Sequence, residues 1–313
     1  MTNLANPTTA FIEISPNCNF NCSFCFSKFK SKKFLSLSEI KVICKRLKEL
    51  EFEEVILFGG EPTVHKKLGE IIKTAFDNGF KVKMVSNGYR ISNDLLKYFK
   101  YLDAISISVH GKVHHDEIVK VPGAFSRVFE NIKKISEVCP STGLLFSPTS
   151  QNLNEIFETA SLFSDYISYF GINRIIRAEE SKLLDNKIHY LINEAKRISK
   201  ELGIISNIAH SFPYCKLRNI SDIKFISSCK AGINSIAISN EGSIKICSAS
   251  DLSVGNIFDY DLYNDEFYEY RKLSWLPEKC KKCKYLGQCF AGCKFSISPN
   301  YYCGDVLIEQ EEV

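Results

Sequence analysis

The sequence predicts an α/β fold in two parts: a partial (β/α)6 TIM-type barrel, open on one side, followed by a small C-terminal cysteine-rich domain. Three observations carry this expectation. Short apolar strands alternate with amphipathic helices up to Leu202, the pattern of βαβ units, a parallel sheet and right-handed crossovers. From about Ser211 the composition shifts to short strands, turns and cysteines. Of the thirteen cysteines, three lie at 18–25 and seven between 229 and 303, with only Cys44, Cys139 and Cys215 outside those groups. The division is expected near residue 205, with 1–205 as the barrel and 206–313 as the cysteine-rich domain.

Residues 10–15 alternate and end at Pro16, which reads as a strand leading into the first cysteines. Those cysteines would then sit at the C-terminal end of a parallel strand, where α/β barrels build their sites. Ser36 with Glu39 is a capping box, and Ile40, Ile43, Cys44, Leu47 and Leu50 recur at helical spacing, placing Cys44 in the core. Val55–Phe58 is a buried strand running into Gly59-Gly60-Glu61-Pro62, with a helix expected over 66–78. Strands follow at 81–86, 104–110, 143–146 and 169–177, separated by helices near 93–101, 124–138 and 153–163; a long helix over 186–202 closes the series.

Composition bounds the function. A hydrophobic fraction of 45% and a charged fraction of 24% are those of an ordinary globular protein. A net charge of +4, with basic residues spread along the chain, offers no concentrated patch for nucleic acid. No apolar run reaches the roughly 18–20 residues of a membrane span, and no signal peptide is evident, so a cytoplasmic location is expected. In a reducing compartment such cysteine clusters argue for metal or redox chemistry rather than disulfides.

Cys18, Cys22 and Cys25 supply three thiolates on one loop, too few for a structural zinc site but suited to an iron–sulfur cluster with an open corner. The spacing Cys-x3-Cys-x2-Cys, with Phe24 before the last Cys, resembles the signature of the radical S-adenosylmethionine (SAM) enzymes, whose 4Fe–4S cluster binds SAM at its unique iron. Gly59-Gly60-Glu61-Pro62 resembles that family's GGEP motif, which contacts the methionine ammonium. The resemblance implies that Ser86 and Ser108 meet SAM's ribose and carboxylate, with strand-end capping as the alternative. It also implies that Phe24 packs near the adenine and that Arg177 pairs with the carboxylate, unless Arg177 is a solvated surface charge. His110, His114 and His115 are read as loop histidines and not as ligands.

Cys229-x12-Gly242-x4-Cys247, Cys280-x2-Cys283-x5-Cys289-x3-Cys293 and Cys303 resemble the seven-cysteine pattern of the SPASM extension. Cys229, Cys247 and Cys293 are then implied to hold one auxiliary 4Fe–4S cluster, and Cys280, Cys283, Cys289 and Cys303 a second, making three clusters in all. The alternative for 280–293 alone is a zinc ribbon, which leaves Cys229, Cys247 and Cys303 idle. Sulfatase-maturing relatives carry an extra Cys between the first two of the module, and Lys230–Ile246 has none. Cys215 is therefore a candidate fourth ligand to the first auxiliary cluster, a hydrogen donor to a substrate radical, or a buried structural thiol; otherwise one iron is open. Those relatives also place an Asp after the second module Cys, where this chain has Ser248, which disfavours their reaction; Asp251 and Glu241 are the nearby carboxylates.

The resemblance implies reductive cleavage of SAM to a 5′-deoxyadenosyl radical, hydrogen abstraction from substrate, and electron transfer to the auxiliary clusters. The expected substrate is a peptide matured by crosslinking, epimerisation or side-chain oxidation. The alternatives are dehydrogenation or decarboxylation of a small carbohydrate- or nucleoside-like metabolite and, remotely, a zinc-stabilised binding module. An electron donor such as flavodoxin or ferredoxin is implied. With seventeen residues before Cys18, a separate leader-peptide recognition protein is a further expected partner.

Overall fold

The computed structural model describes residues 6–25, 33–176, 179–259, 263–296 and 303–309. Strands β1 (Thr9–Ser15), β2 (Glu54–Gly59), β3 (Lys81–Ser86), β4 (Ala104–Ser108), β5 (Thr142–Phe146) and β6 (Tyr169–Ile172) lie side by side in chain order, all parallel. This is the expected α/β partial barrel. The sheet continues past both of its expected edges. A seventh strand, β7 (Ile205–Ile208), pairs parallel with β6, and β8 (Ser235–Ile238) pairs parallel with β1. Strands β9 (Ser243–Lys245) and β10 (Ser253–Asn256) then add antiparallel, giving one ten-stranded sheet in the order β10-β9-β8-β1-β2-β3-β4-β5-β6-β7. Residue 205 is thus the start of a barrel strand, and the cysteine-rich region is grafted onto the β1 edge of the same sheet.

Helix α1 (Leu37–Glu49) forms as its sequence dictates. Ser36 accepts from the Glu39 N–H while the Glu39 carboxylate takes the Ser36 N–H, a reciprocal cap that stabilises by about 1 kcal/mol. Its stripe of Ile40, Ile43, Cys44 and Leu47 is fully buried against the sheet, so Cys44 is core. Helices α2 (Leu68–Asp77), α3 (Asn93–Leu96), α4 (His115–Val119), α5 (Ala124–Ser136), α6 (Ile156–Leu162) and α7 (Glu179–Leu202) cover the parallel strands. The short α4 falls where a loop was expected, and α7 begins seven residues earlier than expected (186 against 179). One hydrophobic cluster runs from Ala10 and Ile12 through Ile107 and Phe170 to Ile236, Ile244 and Phe295, so barrel and module share a core. No helix among the described residues is long and apolar enough to cross a membrane.

Candidate active site

Because the strands are parallel, the loops that leave their C-terminal ends gather at one end of the sheet. The Cys18–Cys25 loop leaves β1, and the Gly59-Gly60-Glu61-Pro62 loop leaves β2 beside it. The two are stitched by backbone: Gly60 N–H donates to Ser15 O at 2.8 Å and Glu61 N–H to Asn17 O at 2.7 Å. A Cβ on Gly59 would stand 2.4 Å from Ser15 O, so only glycine permits this approach. On its other flank the cysteine loop is held by Asn21 N–H to Val119 O and Ser23 N–H to Ile118 O, which is the work done by α4.

Glu61 is the hub. Its side chain is 1% exposed and accepts from Ser86 Oγ (2.7 Å), Asn87 N–H (2.7 Å) and Thr63 N–H (2.9 Å). Burial raises its pKa, and these hydrogen bonds oppose the rise. The carboxylate expected to meet an ammonium is thus engaged in tying the β2 loop to the end of β3. Ser86, expected at the ribose, is likewise buried: it donates to Glu61 and accepts from Gly88 N–H at 3.0 Å. Ser108 ends β4 half-buried, and Pro62 opens a buried 3-10 turn. Phe24 packs edge-on against His110 at 5.1 Å. Arg177 lies outside the described residues.

Asn87 was not singled out by sequence. Its Nδ2 donates to Asn19 Oδ1 at 3.0 Å and lies 3.9 Å from Cys18 Sγ, so it carries the end of β3 to the cysteine loop. Asn19 Nδ2, next to Cys18 in sequence, is buried without a partner among the described residues. The histidines are scaffold. His110 Nδ1 accepts from Ser147 N–H and His115 Nδ1 from His110 N–H, both at 3.1 Å. Burial holds His110 well below its ordinary value and brings His115 down to about 4, so both rings are neutral at pH 7. His114 Nδ1 pairs with Glu155 at 2.5 Å.

The thiols fall into three neighbourhoods. Burial pushes Cys18 up to about 11 and Cys22 up to about 12, and the neighbouring Cys25 adds to both rises. Cys247 and Cys293 both feel Cys229, and Cys293 feels Cys247; burial pushes Cys247 up to about 12 and Cys293 strongly upward. Cys280 feels Cys289, Cys215 and Cys283, and Cys289 feels Cys215. Cys215 is exposed, so it is not a buried structural thiol, and its charge is felt at Cys280 and Cys289. Cys303 is fixed through its N–H on Lys294 O at 3.2 Å.

Among the described residues no three His, Cys, Asp or Glu side chains are drawn together tightly enough for a single metal ion. A tetrahedral zinc needs its sulfurs about 2.3 Å from one point, a demand that a cluster of several irons relaxes. Buried thiols favour the neutral form unless metal takes the proton's place. These soft, half-buried sets of donors fit iron–sulfur clusters.

Two groups tie the module to the barrel or lie inside it. Arg174, just after β6 and 4% exposed, forks onto Asp305 with Nη1–Oδ2 2.6 Å and Nη2–Oδ1 3.0 Å, and Asp305 Oδ2 also accepts Cys293 N–H at 2.8 Å. Lys294 is 1% exposed, its Nζ has no hydrogen-bond partner among the described residues, and its charge is felt at Cys247.

Residues 12–163 match the Radical SAM superfamily. This chain carries a radical SAM domain. The domain spans β1 to the end of α6, holding the cysteine loop, the Gly-Gly-Glu-Pro loop and Asn87. A probable GTP 3′,8-cyclase of Saccharolobus islandicus is 28% identical over 267 residues, 79% of this chain and 85% of the relative. SuiB of Streptococcus suis bound to S-adenosylmethionine superposes with a TM-score of 0.76 at 19% identity, over 95% of this chain and 76% of SuiB; SuiB is also solved with its precursor peptide SuiA. The enzyme anSMEcpe with bound AdoMet and Cp18Cys peptide superposes with a TM-score of 0.65 at 20% identity, over 95% of this chain and 94% of that one. Both superpositions extend the shared fold beyond the radical SAM domain into the cysteine-rich region. The family match therefore makes residues 12–163 a radical SAM domain, and SAM with a 4Fe–4S cluster are the cofactors that such a domain supports.

Proposed function

We propose that Cys18, Cys22 and Cys25 hold the SAM-binding cluster, that the cysteine-rich region is a SPASM module holding two auxiliary clusters, and that the substrate is a peptide. The observation that carries the reading is the segregation of the C-terminal thiols into two neighbourhoods, one around Cys247 and one around Cys280. Two redox centres beyond the SAM cluster suit a net oxidation such as a thioether or carbon–carbon crosslink, or side-chain oxidation. The fold shared with SuiB over 95% of the chain, and SuiB's solution with a precursor peptide, support the substrate class.

When bound, the first cluster supplies the electron that cleaves SAM, delivered by a donor of the flavodoxin or ferredoxin kind. The chain's own residues set the stage for that step. The β2 loop, pinned to Ser15 and Asn17, presents backbone to the methionine end of SAM, and Glu61 positions that loop through Ser86 and Asn87. Asn87 Nδ2 donates beside Cys18, where hydrogen bonds to sulfur raise a cluster's potential. Phe24 and Ser108 line the adenosine side, Pro62 sets the turn, and Arg177 is assigned to the SAM carboxylate.

A second reading, a nucleotide-like small molecule as substrate, is favoured by the 28% identity to the probable GTP cyclase. Incubating the reconstituted, reduced enzyme and SAM with peptides encoded beside its gene, and in parallel with purine nucleotides, separates the two. A peptide that loses two mass units, or gains one in heavy water without other change, supports the peptide reading. An altered nucleotide with unchanged peptides overturns it.

A further inference from the structure

The β2 and β3 loops also border a cavity of about 530 Å³, flanked by helices α2, α3 and α5. Its charged lining is cationic. Lys66 comes from the approach to α2, Arg90 from the β3 loop and Arg127 from α5, positions too far apart in sequence to show as a basic run. All three are exposed, and none forms an ion pair among the described residues. The acid of the lining, Asp94, is held by Lys97 at 2.8 Å, and Glu70, next to the lining in sequence, is held by Lys67 at 2.7 Å. The two arginines are fixed in place. Asn87 Oδ1 takes Tyr89 N–H at 3.0 Å and Asn131 Nδ2 of α5 donates to Gly88 O at 2.7 Å, which closes the loop that carries Arg90. Arg127 lies over the Tyr89 ring, 4.7 Å from its centre, and Tyr89 packs against Phe20 of the cysteine loop at 5.4 Å. The N-terminal turn of α2 joins the lining with no side-chain cap, an end that carries partial positive charge. The rest of the wall is apolar: Ile91, Leu95 and the Tyr98 ring, which lies 2.4 Å from where a Cβ on Gly69 would stand.

We infer that this cavity binds a phosphate-bearing small molecule, with Lys66, Arg90 and Arg127 on the phosphate and Ile91, Leu95 and Tyr98 against its apolar body. Guanidinium forks match phosphate oxygens two at a time, and a lysine adds a further charge-assisted contact. A concave site with a few convergent polar groups and an apolar wall is the form that small-molecule sites take. SAM carries no phosphate, so the ligand is a second molecule. The cavity and the SAM site share a wall, because Thr63 lines the cavity while its N–H donates to Glu61 at 2.9 Å. The inference does not depend on which substrate the barrel takes.

The test is isothermal titration calorimetry on the full chain, reconstituted anaerobically, at fixed ionic strength, with inorganic phosphate and phenyl phosphate as probes. One saturable site per chain is expected, and phenyl phosphate binds more tightly than phosphate. Arg90→Ala and Arg127→Ala each weaken phenyl phosphate about tenfold or more, the loss of a charged hydrogen-bonding group. Arg90→Lys, which keeps the charge and loses the fork, weakens it less. Arg90 is exposed, so its variants test the site even where Arg127→Ala loosens Tyr89. Leu95→Ala narrows the gap between the two probes and leaves phosphate binding unchanged. Lys100→Ala removes an exposed cation outside the cavity and changes neither probe. Saturating SAM does not displace phenyl phosphate. No saturable binding, equal losses in Lys100→Ala and Arg90→Ala, or competition by SAM overturns the inference.

Discussion

Replacing Arg174 with Met should uncouple the cysteine-rich module from the barrel. Asp305 is wholly buried, and the Arg174 fork is its charge partner, supplying two hydrogen bonds; among the described residues the N–H groups of Cys293 and Leu307 would still support the carboxylate. Removing one member of a buried pair strands the other charge and costs about 3–5 kcal/mol. At roughly 2 °C per kcal/mol for a chain of this size, the midpoint of thermal unfolding should fall by about 6–10 °C. Asp305 also fixes the backbone of Cys293, so the variant should lose iron selectively from the Cys229, Cys247 and Cys293 set while the SAM cluster stays loaded. Anaerobic circular-dichroism melts with iron counts and EPR read both effects. Adding Asp305→Asn to Arg174→Met should recover part of the stability, because the stranded charge is gone. A melt within 2 °C of the parent, with full iron, would refute the reasoning.

Glu61→Gln replaces two carboxylate oxygens with one acceptor and one donor, leaving the Asn87 N–H or the Ser86 hydroxyl unmet; it should cost about 1–3 kcal/mol and weaken SAM binding, read by calorimetric titration, with unaltered affinity speaking against a positioning role. The thiols of Cys18, Cys22 and Cys247 have folded values near 11–12, above the roughly 8.5 of an unfolded thiol. The cluster-free fold therefore holds their full contribution below about pH 8.5 and loses it progressively as pH rises toward 11–12. Urea unfolding under reducing, anaerobic conditions at pH 8 and pH 10.5 should show a steeper fall for the parent than for Cys18→Ala/Cys22→Ala; equal falls would contradict the assignment. Lys294→Met removes a buried cation felt at Cys247, so the neighbouring cluster should become harder to reduce by about 60 mV, tenfold for one electron, in an EPR redox titration; a potential that stays put or rises counts against charge compensation.

The elements that carry their reason locally were legible in the sequence. The Ser36/Glu39 cap, the buried stripe of α1 and the strands ending at Ser15, Gly59 and Ser86 all follow from period and turn chemistry. What was missed depends on distant partners. β7 and β8 are four residues each, too short for a periodic signal, and exist because β6 and β1 offer them edges. The Arg174–Asp305 fork joins residues 131 apart, and neither flank advertises it. Glu61 and Ser86 stand out in the sequence, yet it could not tell that they face one another inside the fold. The turn that holds Cys215 likewise carries no local sign of its neighbour, since the Tyr214 N–H reaches Cys289 Sγ across 75 residues of sequence.

The central claim is that the loop at the end of β1 generates the radical. The most direct measurement is 5′-deoxyadenosine released from SAM by the reconstituted, dithionite-reduced chain, compared with a Cys18→Ala/Cys22→Ala/Cys25→Ala variant that keeps its auxiliary iron. Release by the parent and none by the variant is the predicted result. Equal release from both, or none from a parent fully loaded with iron, would contradict it.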